Sequence, residues 1–166
     1  MANVICNTSP LQYLHQLRLI EILESLYGQI IVPYAVQDEL EAGATLGVDV
    51  PHLLSYNWIS LQQPTSYAAF PLVSDLGAGE TAVLALALEQ VGSLVILDDG
   101  LARQFAESLN IQRIGTLGIL LQAKQRGLIA EIAPLLDQLN QLRFRVSPAT
   151  KQAVLRLAHE DPDRRR

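Results

Sequence analysis

Short apolar runs alternate with stretches of helical periodicity over most of this chain. Val4-Ile5-Cys6, Gln29 to Val32 and Ser93 to Leu97 carry apolar side chains at consecutive positions and are rich in β-branched residues. That pattern belongs to strands buried on both faces of a parallel sheet. Ile111 to Ile114 predicts a further short strand. Between the strands, Ser9 as N-cap and Pro10 at the first helical position predict a helix with the stripe Leu11, Leu14, Leu17, Ile20 and Leu23, broken in two near Arg18. Pro33 opens a helix through Ala35, Val36 and Leu40 that closes near Gly43. Gly77-Ala78-Gly79 leads into a strongly apolar helix, Glu80 to Gln90. A helix over Leu101 to Leu109 follows the Ser93–Leu97 strand, and Thr116 caps another that ends at Gly127. Two more complete the pattern, Ile129 to Leu142 and Pro148 to His159, the latter capped by Ser147. The stretch from Ala44 to Asp75, with Pro51, Pro64 and Pro71, predicts a surface excursion carrying an edge strand near Asn57 to Leu61.

Strand–helix alternation of this kind signals βα units and an α/β fold with a central parallel sheet flanked by helices. At 166 residues the chain is read as one domain over 1–166, with a C-terminal helical extension over 129–160 and a basic tail at 161–166. With 49% hydrophobic residues the core should be well filled. No apolar run is long enough to span a bilayer, and no basic region precedes an apolar stretch at Met1-Ala2-Asn3-Val4, so no signal peptide is expected. The lone Cys6 has no internal disulfide partner, which suits a reducing cytoplasm, and reads as a small buried hydrophobe. The net charge of −5 argues against a strongly electrostatic nucleic-acid binder. An acidic metal site would, however, hide a local basic surface in that total. Lys124, Arg126, Arg143, Arg145 and Arg164-Arg165-Arg166 could form such a surface.

The chemistry gathers at one edge. Ligands of open α/β sheets bind beyond the carboxyl ends of the strands, and Asp98-Asp99 ends the central strand there. Two adjacent carboxylates repel unless something offsets their charge, and a divalent cation with oxygen ligands does so. Asn7 follows the first strand, Glu39 lies on the helix after the second, Glu80 begins a helix after a glycine-rich turn, and Thr116 follows the last strand. Glu39, Glu80, Asp98 and Asp99 could therefore converge on one or two Mg²⁺ or Mn²⁺ ions able to activate water against a phosphodiester. Each residue also has a simpler reading: Glu39 as a solvated helix acid, Glu80 as a partner of the helix dipole, Asp98 as a cap or a partner of Arg103, Asp99 as a cap, and Asn7 and Thr116 as turn and cap residues.

Other chemistries find less support. His15, His52 and His159 show no ligand spacing, and there is no GxSxG. Gly77-Ala78-Gly79-Glu80-Thr81-Ala82 matches GxGxxA with Asp98 about twenty residues on, a dinucleotide-binding fingerprint on paper. Against it, the preceding segment makes a poor strand, and Glu80 puts a negative charge where pyrophosphate would sit. A receiver-like phosphorylation domain would need an acceptor aspartate after a third central strand, and none stands out.

The pieces Asn7-Thr8-Ser9-Pro10-Leu11, Val36-Gln37-Asp38-Glu39-Leu40, Gly77 to Ala82, Leu97-Asp98-Asp99 with Ala102-Arg103, and Gly115-Thr116-Leu117-Gly118 together resemble the PIN-domain family. The resemblance is to a branch of nucleic-acid-binding PIN-like proteins of unknown function, and it runs from residue 3 to about 128. It implies a three-layer fold with a five-stranded parallel sheet and a Mg²⁺- or Mn²⁺-dependent endoribonuclease site, often in the toxin of a toxin–antitoxin pair. It further implies a small antitoxin partner and homodimerisation. The family's acids would fall on Asn7, Glu39, Glu80 and the pair Asp98 and Asp99, with Thr8 or Ser9 as the accompanying hydroxyl. Asn7 departs from the usual aspartate. A neutral carbonyl oxygen can coordinate a cation without offsetting its charge, so an active nuclease, a weak one and a binding module that does not cleave all stay open.

Overall fold

The computed structural model describes residues 2–67 and 75–160. Five strands, β1 (Val4–Cys6), β2 (Ile30–Pro33), β3 (Ile59–Gln62), β4 (Leu94–Ile96) and β5 (Gln112–Ile114), form one all-parallel sheet in the order β3-β2-β1-β4-β5. The helices are α1 (Thr8–Gln16), α2 (Ile22–Tyr27), α3 (Tyr34–Thr45), α4 (Ala78–Glu89), α5 (Gly100–Ser108), α6 (Thr116–Gln125), α7 (Ala133–Gln141) and α8 (Pro148–Leu157). This is the three-layer α/β architecture expected from the alternation of patterns. The chain starts in mid-sheet, moves outward through β2 to the edge strand β3, then crosses back over β1 to β4 and β5. Connections leaving β1 and β4 therefore diverge, and a crevice opens at their carboxyl ends.

The core explains why these short strands hold. Ile5, Cys6, Val95, Ile96 and Leu97 are fully enclosed. α4 packs on β1, β2 and β4, and every residue from Ala82 to Ala87 is buried. A helix that is apolar all round has to lie inside. Its alanines let the backbone approach the sheet, while Val83, Leu84 and Leu86 each contribute about 1.5–3 kcal/mol by leaving water. Arg18, in the left-handed region at φ 63, supplies the expected break between α1 and α2.

Several helix starts differ from the sequence reading. α1 begins at Thr8 behind Asn7, so Ser9 is not the N-cap, and Pro10 falls where a missing N–H is still tolerated. α3 runs through Gly43 to Thr45, and α7 starts at Ala133 rather than Ile129. Gly115, not Thr116, occupies the N-cap of α6. Asn7 holds the N-cap position of α1 without a side-chain cap bond, and its side chain, like that of Thr116, bonds into the crevice instead. Ser147 does cap α8, its Oγ accepting from the Thr150 amide at 3.1 Å. Pro71 and the tail arginines 164–166 lie outside the described residues. No helix among the described residues is long and apolar enough to cross a membrane.

Candidate active site

Asn7 leaves β1 with its carboxamide turned into the crevice, and only 1% of the residue is exposed. Its Nδ2 donates to Glu80 Oε1 at 3.3 Å. That contact fixes the amide's orientation, since the reverse would press oxygen against carboxylate. Asn7 Oδ1 consequently faces the other way, buried and without a hydrogen-bond partner among the described residues. Leaving such an oxygen unmet costs about 1–3 kcal/mol.

Glu39 reaches the same place from α3. Its Oε1 accepts from the Gly79 amide at 2.5 Å and its Oε2 from Thr8 Oγ1 at 3.0 Å. The carboxylate thus satisfies a free N–H at the start of α4, where the helix dipole favours negative charge. Gly79 makes the approach possible. A Cβ there would lie 2.9 Å from Asn7 Oδ1 and closer still to Glu39 Oε1. Two acceptors therefore face one small space in which the Gly79 amide serves Glu39 and no donor serves Asn7 Oδ1, and Glu80 lies on the other side of the Asn7 amide. A carboxylate and an amide oxygen facing one space, with a second carboxylate beyond the amide, are hard donors of the kind Mg²⁺ or Mn²⁺ takes, and the unmet Asn7 oxygen is the kind of atom such an ion would satisfy. The residues fit the metal.

A second group lies at the ends of β4 and β5. Asp98 Oδ1 accepts from the Thr116 amide at 2.8 Å and Oδ2 from Thr116 Oγ1 at 2.6 Å. Thr116 is fully buried, so this hydroxyl is an internal strut. Burial pushes the Asp98 carboxyl above its ordinary value, and the Thr116 bonds and the nearby Arg103 only partly pull it back. Burial, reinforced by the charge of Asp98, also raises the Cys6 thiol; that residue is the enclosed hydrophobe its sequence position suggested.

The structure sorts the candidate residues. Asn7, Thr8, Glu39 and Glu80 meet, as do Asp98, Thr116 and Arg103. Thr8, not Ser9, supplies the hydroxyl beside Glu39. Asp99 is exposed, and its Oδ2 accepts from the Ala102 amide at 2.9 Å as the N-cap of α5. Neighbouring residues of extended backbone point apart, which separates Asp99 from Asp98. Among the described residues no group of three or more His, Cys, Asp or Glu is placed to hold one metal ion; the acids stand as separate groups, with Asn7 joining two of them. Lys124 pairs with Glu160 at 3.1 Å, and Arg126 ends α6, about 15 Å from the helix start at Thr116. Of the bases that could form a basic surface, Lys124 is thus paired with a carboxylate, and Arg126 lies at the far end of α6 from Thr116.

Gly79 and Gly115 are the residues that sequence reasoning left without a role in the site. Their only signal was position, each beside a polar residue at the start of a helix. In the dinucleotide reading Gly77 should follow a strand directly. Residues 68–74, most of the segment expected to make a poor strand there, lie outside the described residues, but the Glu80 carboxylate folds back over Gly77, occupying the place of a phosphate.

No curated protein and no solved structure matches this chain. The model of the DUF3368 family, described as a PIN domain, matches residues 3–160. PIN domains generally use divalent metals, and the fold is associated with nuclease-like work on nucleic acid. With the five-stranded parallel sheet and a polar crevice at its carboxyl edge, the match over nearly the whole chain places this protein in the PIN-domain family.

Proposed function

We propose that this chain is a divalent-metal-dependent endoribonuclease of the PIN type, the toxin of a toxin–antitoxin pair that acts as a homodimer in the cytoplasm and is held by a small antitoxin protein. The observation that carries the nuclease reading is the buried, unmet Asn7 oxygen facing Glu39 across the space that Gly79 leaves open. Glu39, Glu80 and Asn7 would hold Mg²⁺ or Mn²⁺ directly or through water, with Asp98 and Asp99 assisting. Such an ion supplies a water of lowered pKa and charge stabilisation at phosphorus.

The chain's own groups do the rest. Thr8 and the Gly79 amide hold the Glu39 carboxylate in one orientation. Glu80 orients the Asn7 amide. Thr116 holds both oxygens of Asp98, whose carboxyl is raised above its ordinary value by burial. In the overall reaction water adds across one P–O bond: its hydroxyl joins phosphorus, and its second proton ends on the leaving oxygen.

A non-enzymatic reading has one specific support, the neutral Asn7 where an acid is expected. The chain would then bind RNA or a protein without cleaving. The deciding experiment is cleavage of single-stranded RNA by the purified chain in Mn²⁺, beside Glu39→Gln, Asp99→Asn and Asn7→Asp. Cleavage by the parent that is lost in Glu39→Gln supports the nuclease. Asp99→Asn retains a good N-cap, so lost cleavage there reports chemistry and not unfolding. Equal cleavage by the parent and Glu39→Gln rejects the site. No cleavage by the parent, together with no Mn²⁺-induced rise in melting temperature, favours the binding module.

A further inference from the structure

Arg103 brings positive charge to the Asp98 end of the crevice. It is half-buried on α5. Its Nη1 lies 2.6 Å, and Asp98 Oδ1 2.9 Å, from the point a Cβ on Gly115 would occupy. The two groups share a slot over the glycine at the β5–α6 turn, yet they close no salt bridge, and both Asp98 oxygens are already taken up by Thr116. Among the described residues the Arg103 guanidinium makes no hydrogen bond. Other cations are committed elsewhere: Arg113 to Glu107, Lys124 to Glu160 and Lys151 to Asp137.

A guanidinium carries five donors in a rigid fork that matches the oxygens of a phosphate. Held partly out of water with those donors unmet, it is positioned to accept an anion, and the neighbouring Asp98 gives it no bidentate partner. It follows β4 on α5, and β4 is the strand beside Asn7, whose backbone N–H donates to the Ile96 carbonyl at 3.0 Å. We propose that Arg103 binds a backbone phosphate of the RNA next to the one cleaved, and that Gly115 is glycine to leave room for that guanidinium. The inference rests on the nuclease reading for the identity of the anion.

The test is fluorescence anisotropy of a labelled single-stranded RNA in Ca²⁺ across a salt series, with melting temperatures for each protein. Arg103→Gln should bind roughly tenfold more weakly and lower the slope of log K against log salt by about 0.7, the share of one phosphate on a single strand. Arg103→Lys, which keeps the charge and loses the fork, should fall between. Gly115→Ala removes no functional group, and its φ of −97 suits alanine, but its Cβ would press on both the guanidinium and Asp98 Oδ1. It should reproduce the Arg103→Gln loss, and it carries the test if that variant fails to fold. RNA binding by the parent with unchanged affinity and slope in the variants overturns the role of Arg103 and leaves the nuclease reading standing. Absence of RNA binding by the parent overturns both.

Discussion

The Asn7 amide donates to Glu80 Oε1 at 3.3 Å across 73 residues of sequence, and this contact decides where the buried Asn7 oxygen points. Replacing the amide by a carboxylate would set two like charges against each other. Asn7→Asp should therefore lower the melting temperature of the metal-free protein, by the equivalent of about 1.5–3 kcal/mol for a lost bond to a charged group. Mn²⁺ should restore more stability to this variant than it gives the parent. Thermal melts in chelator and in Mn²⁺ read both effects, and a variant as stable as the parent in chelator would reject the contact.

Gly79 tests the space rather than the ligands. Alanine is a better helix former by about 1 kcal/mol, so Gly79→Ala should keep its helical circular dichroism. Its Cβ would nonetheless force Glu39 Oε1 and Asn7 Oδ1 apart. A metal at about a hundred times its dissociation constant stabilises the native state by about 2.7 kcal/mol. That increment should fall by more than half in Gly79→Ala, measured as the Mn²⁺-induced shift in urea midpoint. A full shift would mean that the ion sits elsewhere.

Thr116 is fully buried and its hydroxyl is the partner of Asp98 Oδ2. Thr116→Val keeps the shape and removes the donor, leaving a largely enclosed carboxylate with one bond fewer. The expected cost is about 1–3 kcal/mol in denaturant unfolding, with Thr116→Ser recovering part of it. Equal stability of the valine variant and the parent would show that Asp98 does not need this strut.

Two acids should give stability opposite dependences on pH. Burial alone would raise Glu160, but the amides of Ile132 and Ala133 and the ammonium of Lys124 outweigh it and hold its carboxyl below the ordinary value. Its contribution is complete at neutral pH and disappears as pH falls through the lowered pKa. Glu160→Gln should thus destabilise at neutral pH, with the difference narrowing in acid. Asp98 is raised by burial, so its ionised form costs stability at neutral pH, and that cost is relieved as pH falls through the raised pKa. Asp98→Asn should stabilise the metal-free protein at neutral pH, with the gain shrinking on acidification. Urea midpoints across the acid range check both, and the same sign for the two variants would contradict this account.

The Glu160 carboxylate also shows what patterning leaves unread. It links the chain just beyond α8 to the start of α7 and the end of α6, a three-way contact with no periodic signature. Lys124 looked available for RNA because sequence shows charge and not partners.

The strands, their parallel arrangement and the edge at which the acids gather were legible in the sequence, because consecutive apolar residues have to be buried on both faces and helix periodicity spaces the strands apart. Asp98 at the end of one such run marked the crevice. Which carboxylates meet was decided by the fold alone. Strand order sets Asn7 between Glu39 and Glu80, the alternation of extended backbone sends Asp99 to cap α5 while Asp98 turns to Thr116, and two glycines make room for side chains from distant segments. Local patterns record whether a residue must be buried, whereas contacts between segments depend on how the sheet is wound, and only the tertiary structure carries that.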